Sequence, residues 1–441
     1  MAQPSAAIAI LLAAVCLLPD TAWTQPISHR GFIDYGGVWY PESAPNDRAY
    51  FVGDVLVREE LFVNATPWLQ FAAGFDFRVN SHEQVDEGWQ LYDSDRTIKR
   101  SPVALRRLAA TLTYRPLTVD VGRQFVRWGK TDIISPTDRF APHDFLNVID
   151  PELLAVTGVR VVGQLNDRNT VEAVWVRRFT PSRMPLLDQR WFVIPADLEG
   201  VPIIDGGAVF PDRWQGGIRL NHAGLVDFAL SYFDGFNHLP NLQPTLGELV
   251  PEVPPVPETP DEVLEPETPG ELPGIPAPEV VLTRTYPAMR SVGAEAALPT
   301  PWATLKGEVA YFMSDSPTTD EYVLFVVQAE RQFGEWVVVG GYAGEVVTVH
   351  RAEFDFNPDR GLSRSFLGRV SYNIDGNRSV AVEGVLRQDL DGLYLKAEYS
   401  RAYGQHWRAT AAAVLIRGEQ DDFIGQYRRN SHLSLSARYS F

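Results

Sequence analysis

The chain has 441 residues, 45% of them hydrophobic, and a formal net charge of −17. That charge argues against nucleic acid as a partner. Beyond residue 18 no apolar run approaches the roughly 18 residues a helical membrane span needs. The apolar residues are instead dealt out in alternation, a strand signal, over a length that suits one large β domain better than one ordinary soluble core.

Residues 6–18 (AAIAILLAAVCLL) are the exception, a compact apolar run followed by Pro19, Asp20 and small or polar residues to Thr24. The run is short for a span and reads as a secretory signal peptide, residues 1–24, although no Lys or Arg precedes it. The single cysteine, Cys16, lies inside it. Acylation of Cys16 is the alternative, poorly matched by Val15 and Leu17. The mature chain, residues 25–441, is expected to be one domain with no disulfide and no thiolate chemistry.

Period-two alternation then recurs along the chain. Leu69, Phe71, Ala73, Phe75, Phe77 and Val79 alternate with Gln70, Gly74, Asp76, Arg78 and Asn80. Leu108, Leu112 and Tyr114 alternate with Arg107 and Thr111, and Ile218 and Leu220 with Arg219. Leu305 and Val309 alternate with Lys306 and Glu308, and Leu395 and Tyr399 with Lys396 and Glu398. The last such stretch is Leu433, Leu435, Ala437, Tyr439 and Phe441. In a sandwich the apolar face would line a core. In a transmembrane barrel it faces lipid and the polar face lines a wet lumen.

The connections decide between the two. Short ones at 115–116, 166–168, 222–224, 299–301, 334, 375–376 and 403–404 alternate with long ones at 81–101, 128–155, 180–212, 235–285, 314–320, 350–360 and 418–429. Short turns at one end and long loops at the other are the mark of an all-β transmembrane antiparallel barrel. The count is about eighteen strands. Sixteen is the alternative, because the stretch near residues 31–40 is weakly patterned and the connection near Asp389 is short where a long one is due. Trp39, Tyr40, Trp68, Trp214, Trp302, Trp336 and Trp407 fall near strand ends, where amphipathic rings form interfacial girdles.

The final nine residues, LSLSARYSF, resemble the C-terminal signal by which bacterial barrel proteins are recognised for assembly. Residues 122–132 (GRQFVRWGKTD), 230–240 (LSYFDGFNHLP) and 284–312 (RTYPAMRSVGAEAALPTPWATLKGEVAYF) are similar to porin-like outer-membrane proteins of Gram-negative bacteria, a family of largely uncharacterised function. The resemblance implies a porin-like barrel in the outer membrane, with lipid, the barrel assembly machinery and small solutes as partners. It names no substrate. An acidic insert departs from the family pattern. Residues 240–280 hold twelve prolines and nine acidic residues with no basic one, a composition expected to form neither strand nor helix. It is either a solvated outer loop or an acidic lid that acts on ions at the mouth.

The long connection at residues 128–155 mixes charges with Ile133, Ile134, Phe140 and Phe145. It either folds into the lumen, apolar side to the wall and charges to the pore, or caps the outside. Arg123, Arg127, Lys130, Asp132, Asp138, Arg139 and Asp144 are the candidate constriction residues. Continuing the outward alternation of residues 117–121 places Arg123 on lipid, at a cost of roughly 2–4 kcal/mol at mid-membrane. A bulge at Gly122 would turn it inward, beside the acidic residues of the connection, where opposed charges create a transverse field that selects small polar solutes. Ordinary Arg–Asp pairing that pins the loop is the simpler role. Asp76, Arg78, Arg107, Arg219, Lys306, Glu308, Lys396 and Glu398 are expected to line the lumen, with Glu383, Arg387, Arg408 and Arg438; both signs occur, so no strong ion selectivity follows. No zinc spacing, phosphate loop or Ser–His–acid set stands out, so no cofactor and no enzymatic activity is expected. A passive channel for small polar solutes follows, with a plugged structural or export-associated barrel as the alternative.

Overall fold

The computed structural model describes residues 27–88, 95–194, 201–246, 279–351 and 360–441. The signal-peptide stretch with Cys16 and residues 247–278 of the insert lie outside the described residues. Eighteen antiparallel strands form one sheet in which sequence neighbours pair. The sheet closes because the first strand, Ile27–Trp39, pairs with Phe51–Thr66 on one side and with the last strand, His432–Ser440, on the other. Reciprocal N–H···O bonds of 3.0 Å between Gly31 and Phe441 complete the seam. Closure satisfies every ladder without leaving an edge in hydrocarbon. Eighteen therefore holds over sixteen: the weakly patterned first stretch is a full strand of 13 residues, and residues 388–391 do join two strands, Arg378–Arg387 and Gly392–Tyr403. Turns at 67–68, 115–116, 165–168, 223–226, 300–303, 334–335, 376–377 and 404–406 alternate strictly with the remaining connections.

The surface is inverted relative to a soluble protein. Leu108, Ile218, Leu230, Val292, Phe366 and Leu435 are exposed on the outer face, whereas Glu172, Glu295 and Glu308 are buried within. Leu230 is 52% exposed and Glu308 only 3%; only an apolar solvent outside reconciles the two. Trp68, Trp302, Trp336 and Trp407 ring the short-turn end, and Trp39 and Trp214 stand at the other, all exposed. Tyr40 does not belong to the girdle. It is buried, with the Arg190 guanidinium 3.7 Å over its ring, because a loop folds inward across it.

Gly122 has φ +123°, and a Cβ there would collide with the Leu108 carbonyl oxygen. This left-handed residue, open to glycine alone, turns the chain without the expected bulge, since the register with both neighbouring strands runs unbroken through it, and Arg123 is buried against Asp95 instead of facing lipid. Gly122→Val is expected to cost about 1–3 kcal/mol, read as a smaller folded fraction on unboiled gels. An unchanged fraction would refute the role given to this glycine.

The expectation for the insert needs correction too. Residues 241–246 of the insert are a strand, Asn241–Leu246, which pairs with Val280–Thr285; that strand pairs in parallel with Ile203–Val209. Pro244 is tolerated because Asn241–Leu246 is an edge strand of this three-stranded sheet, with its missing donor needed by no neighbour.

Candidate functional site: the lumen and its inner loop

Between the strands Leu117–Gln124 and Val156–Gln164, residues 125–155 travel around the inside of the barrel. The start is knotted by Asp138, which accepts from the Trp128 N–H at 3.0 Å and pairs with Arg127 at 3.2 Å. Burial pushes the Asp138 carboxyl above its usual range, with Arg127 opposing. The Trp128 indole donates to Glu172 on the wall, 3.0 Å away.

Residues 130–137 then close over Glu308, on the strand Thr304–Met313. Its carboxylate accepts six hydrogen bonds: from the N–H groups of Lys130, Thr131 and Thr137, and from the hydroxyls of Thr131, Ser135 and Thr137. Beside it Asp132 takes Lys306 at 2.9 Å and the amide of Gln328. Ile134, Val148 and Ile149 pack on a cluster that includes Val326, Ala343, Leu367, Val385 and Val414. A wet lumen has no need of apolar residues at those inward positions; the loop that covers them does. Residue 150 reaches a fourth part of the wall, where Asp150 pairs with Lys396 at 2.6 Å.

On the return, Glu152 meets Arg58 at 2.5 Å, Arg78, and Arg106 at 3.4 Å. Burial alone would raise the Glu152 carboxyl, but Arg78 and Arg58 together hold it well below the usual carboxylate range. Asp144 lies deeper, between Arg100 at 2.8 Å and Arg183 at 3.0 Å. Its burial is likewise outweighed by these cations and its carboxyl is depressed. Arg183 continues to Asp95 at 2.7 Å, and Asp95 to Arg123. These side chains bound a cleft between the wall at Asp76–Arg78, the connection holding Asp95 and Arg100, and the inner loop at residues 152–155.

The loop is thus inside the barrel rather than a cap. Of the candidate constriction residues, Arg123 and Asp144 border the cleft, Arg127 and Asp138 tie the loop's root, and Asp132 and the Lys130 N–H attach it to the wall. Arg139 lies over the Phe312 ring at 5.1 Å. Among the described residues Arg123 meets no acidic residue of the inner loop; it pairs with Asp95, in the preceding long connection. The lumen candidates are placed by their contacts. Asp76 pairs with Arg58, Arg219 with Glu295 and Arg438 with Asp34, and Arg408 donates to Ser400. Arg78, Lys306, Glu308 and Lys396 hold the loop, Lys396 sits 3.8 Å from Glu398, and the Arg107 Nε has no hydrogen-bond partner. Sequence reasoning missed Arg58, Asp95, Arg100, Arg106, Glu152 and Arg183. Inward parity on its strand could have found Arg58; the others sit at a bulge or in loops, where parity gives no guide.

Neither a family model nor a curated protein sequence matches this chain. Solved structures do. OccAB4 of Acinetobacter baumannii is 12% identical, with a TM-score of 0.51 over 96% of this chain and 100% of that one. A BenF-like porin from Pseudomonas fluorescens Pf-5 is 9% identical, with a TM-score of 0.52 over 94% and 97%. The fold is that of the porin-like outer-membrane barrels. OccD3 (OpdP) of Pseudomonas aeruginosa, 10% identical and with a TM-score of 0.50 over 95% and 92%, shares it. At such identities the likeness is one of fold.

Proposed function

We propose that this barrel is an outer-membrane channel for passive diffusion of small polar solutes, narrowed by residues 128–155. The observation that supports it best is the charged cleft left beside the inner loop. The barrel wall supplies Arg78 and Arg106, and the loop supplies Glu152 and Asp144; Glu152 closes on both arginines, so positive wall and negative loop meet at a junction whose field reaches across the solute path beside it. Such a transverse field orders water and favours small polar molecules. Five arginines and four carboxylates line the cleft, a near balance that goes with weak ion selectivity. Several of these carboxylates also pin the loop, so positioning and pore lining fall to the same side chains.

Conductance tests this. Folded protein in a planar bilayer is expected to show discrete open steps with a small reversal potential under a salt gradient. A variant lacking 128–155 is expected to show larger steps. A silent wild type beside a conducting variant would reject the open channel in favour of a plugged barrel.

A further inference from the structure

Four charged residues run across the outside of the wall at its long-loop end. Arg213, just before the strand Gln215–His222, bonds Asp234 on the next strand at 2.7 Å. Asp234 stands opposite Arg290 in the register of the strands Asp227–Phe236 and Ala288–Pro299. Arg290 bonds both oxygens of Asp315, at 3.0 and 2.8 Å. The row lies on the outer face. Asp234 and Arg290 continue the alternation of Leu230, Tyr232 and Val292, all exposed, whereas the intervening Phe233 and Ser291 are buried. The girdle residue Trp214 marks its level: a Cβ on Gly216, the cross-strand partner of Asp234, would meet the Trp214 ring at 3.3 Å. We propose that this row docks a phosphorylated glycolipid of the outer leaflet, with Arg213 and Arg290 donating hydrogen bonds to its phosphate groups.

Position fixes the occupant. Outward residues at an interfacial girdle meet lipid headgroups rather than bulk water, and the long loops put this end of the barrel in the outer leaflet, whose glycolipid carries phosphate. The arginines suit that anion, because a guanidinium presents five N–H donors in a planar fork that matches phosphate. Arg213 gives only Nη2 to Asp234, and Arg290 only Nη2 to Asp315. Among the described residues no hydrogen bond takes the Nε or Nη1 of either. Both side chains stay exposed, 43% for Arg213 and 45% for Arg290, so those donors are open to a headgroup. The two aspartates hold the forks against the wall, and Arg213 also lies over the Trp214 and Phe236 rings. Exposed ion pairs add little stability of their own, so stability does not account for four charges at this level. On the opposite arc the long-loop ends of the first three strands turn Trp39, Phe51 and Val79 outward. Those side chains offer a headgroup no charge, and the docking is therefore one-sided.

Lipid docking is independent of solute passage, so the test uses no ion flow. Folded full-length protein in detergent would be titrated with diphosphoryl lipid A and with its dephosphorylated form, and bound lipid counted by native mass spectrometry. Wild type is expected to favour the phosphorylated form by roughly ten- to thirtyfold. Arg213→Gln with Arg290→Gln is expected to lose that preference at a wild-type folded fraction on unboiled gels. Arg213→Lys with Arg290→Lys, which keeps the charges without the fork, is expected to keep part of it. Inorganic phosphate alone is expected not to displace the lipid. A wild type that binds both forms alike overturns the site, whether or not the variants fold. So does a preference that the glutamine variant retains in full, which would put the phosphate elsewhere on the barrel. Displacement by inorganic phosphate would make the row a site for the free anion, and a lipid-free dimer abolished in the glutamine variant would seat a second copy on this face; either result rejects the lipid. A barrel that shows the preference but never conducts would refute the channel and leave the lipid site standing.

Discussion

Glu308→Ala is expected to detach the inner loop and enlarge the open channel. Glu308 stands on the wall with both oxygens occupied, and its six donors come from an eight-residue stretch of a loop more than 170 positions away in sequence. Removing the carboxylate leaves those N–H and O–H groups facing a methyl group. An unpaired buried donor costs about 1–3 kcal/mol. Because the six share one acceptor their losses do not add, and about 3–5 kcal/mol is the expected penalty for the attachment as a whole. The Asp132 contacts with Lys306 and Gln328 and the packing of Ile134 on the wall then hold residues 130–137. Larger and noisier single-channel steps should result, with the barrel still resistant to unfolding because no ladder is touched. Glu308→Gln, which keeps one carbonyl acceptor, should fall between. Steps of wild-type size and noise in the alanine variant would sink this account of the loop.

The barrel was legible in the sequence and most of the loop's route was not, for a physical reason. A half-buried strand imposes period two on every residue it contains, so Glu308 and Lys396 could be placed on the inner face without a partner in view. What each one holds depends on loops whose folding follows no period. Asp95 and Arg183 lie 28 and 60 positions from Arg123 and pair with it or with each other, and nothing local announces that. Gly122 was legible only as a choice, since its φ decides whether Arg123 meets lipid or lumen. Tyr40 and residues 241–246 show the converse. Tyr40 sits next to the girdle residue Trp39, yet Arg190 of a distant connection covers it. The composition of residues 240–280 argued against any strand, but Leu242 and Pro244 only had to supply one edge.

Asp144 should prove the most sensitive charge in the molecule. It is 4% exposed and bonds two guanidinium groups, from Arg100 and Arg183, that belong to different connections. Asp144→Ala leaves both cations buried with one fewer carboxylate between them, a change worth about 3–5 kcal/mol. Thermal loss of the gel-shifted folded form should therefore occur at lower temperature. The cleft, losing a negative charge, should shift its reversal potential toward anions. Asp144→Leu with Arg100→Leu removes one charge of each sign and fills the space with apolar volume. It should recover most of the stability, since an ion pair replaced whole is often neutral, and return the reversal potential toward wild type. If the single variant melts like wild type, or the double variant is no better than the single, Asp144 is not the brace between these connections and the inner loop is held by its other attachments, Glu308 and Glu152 foremost.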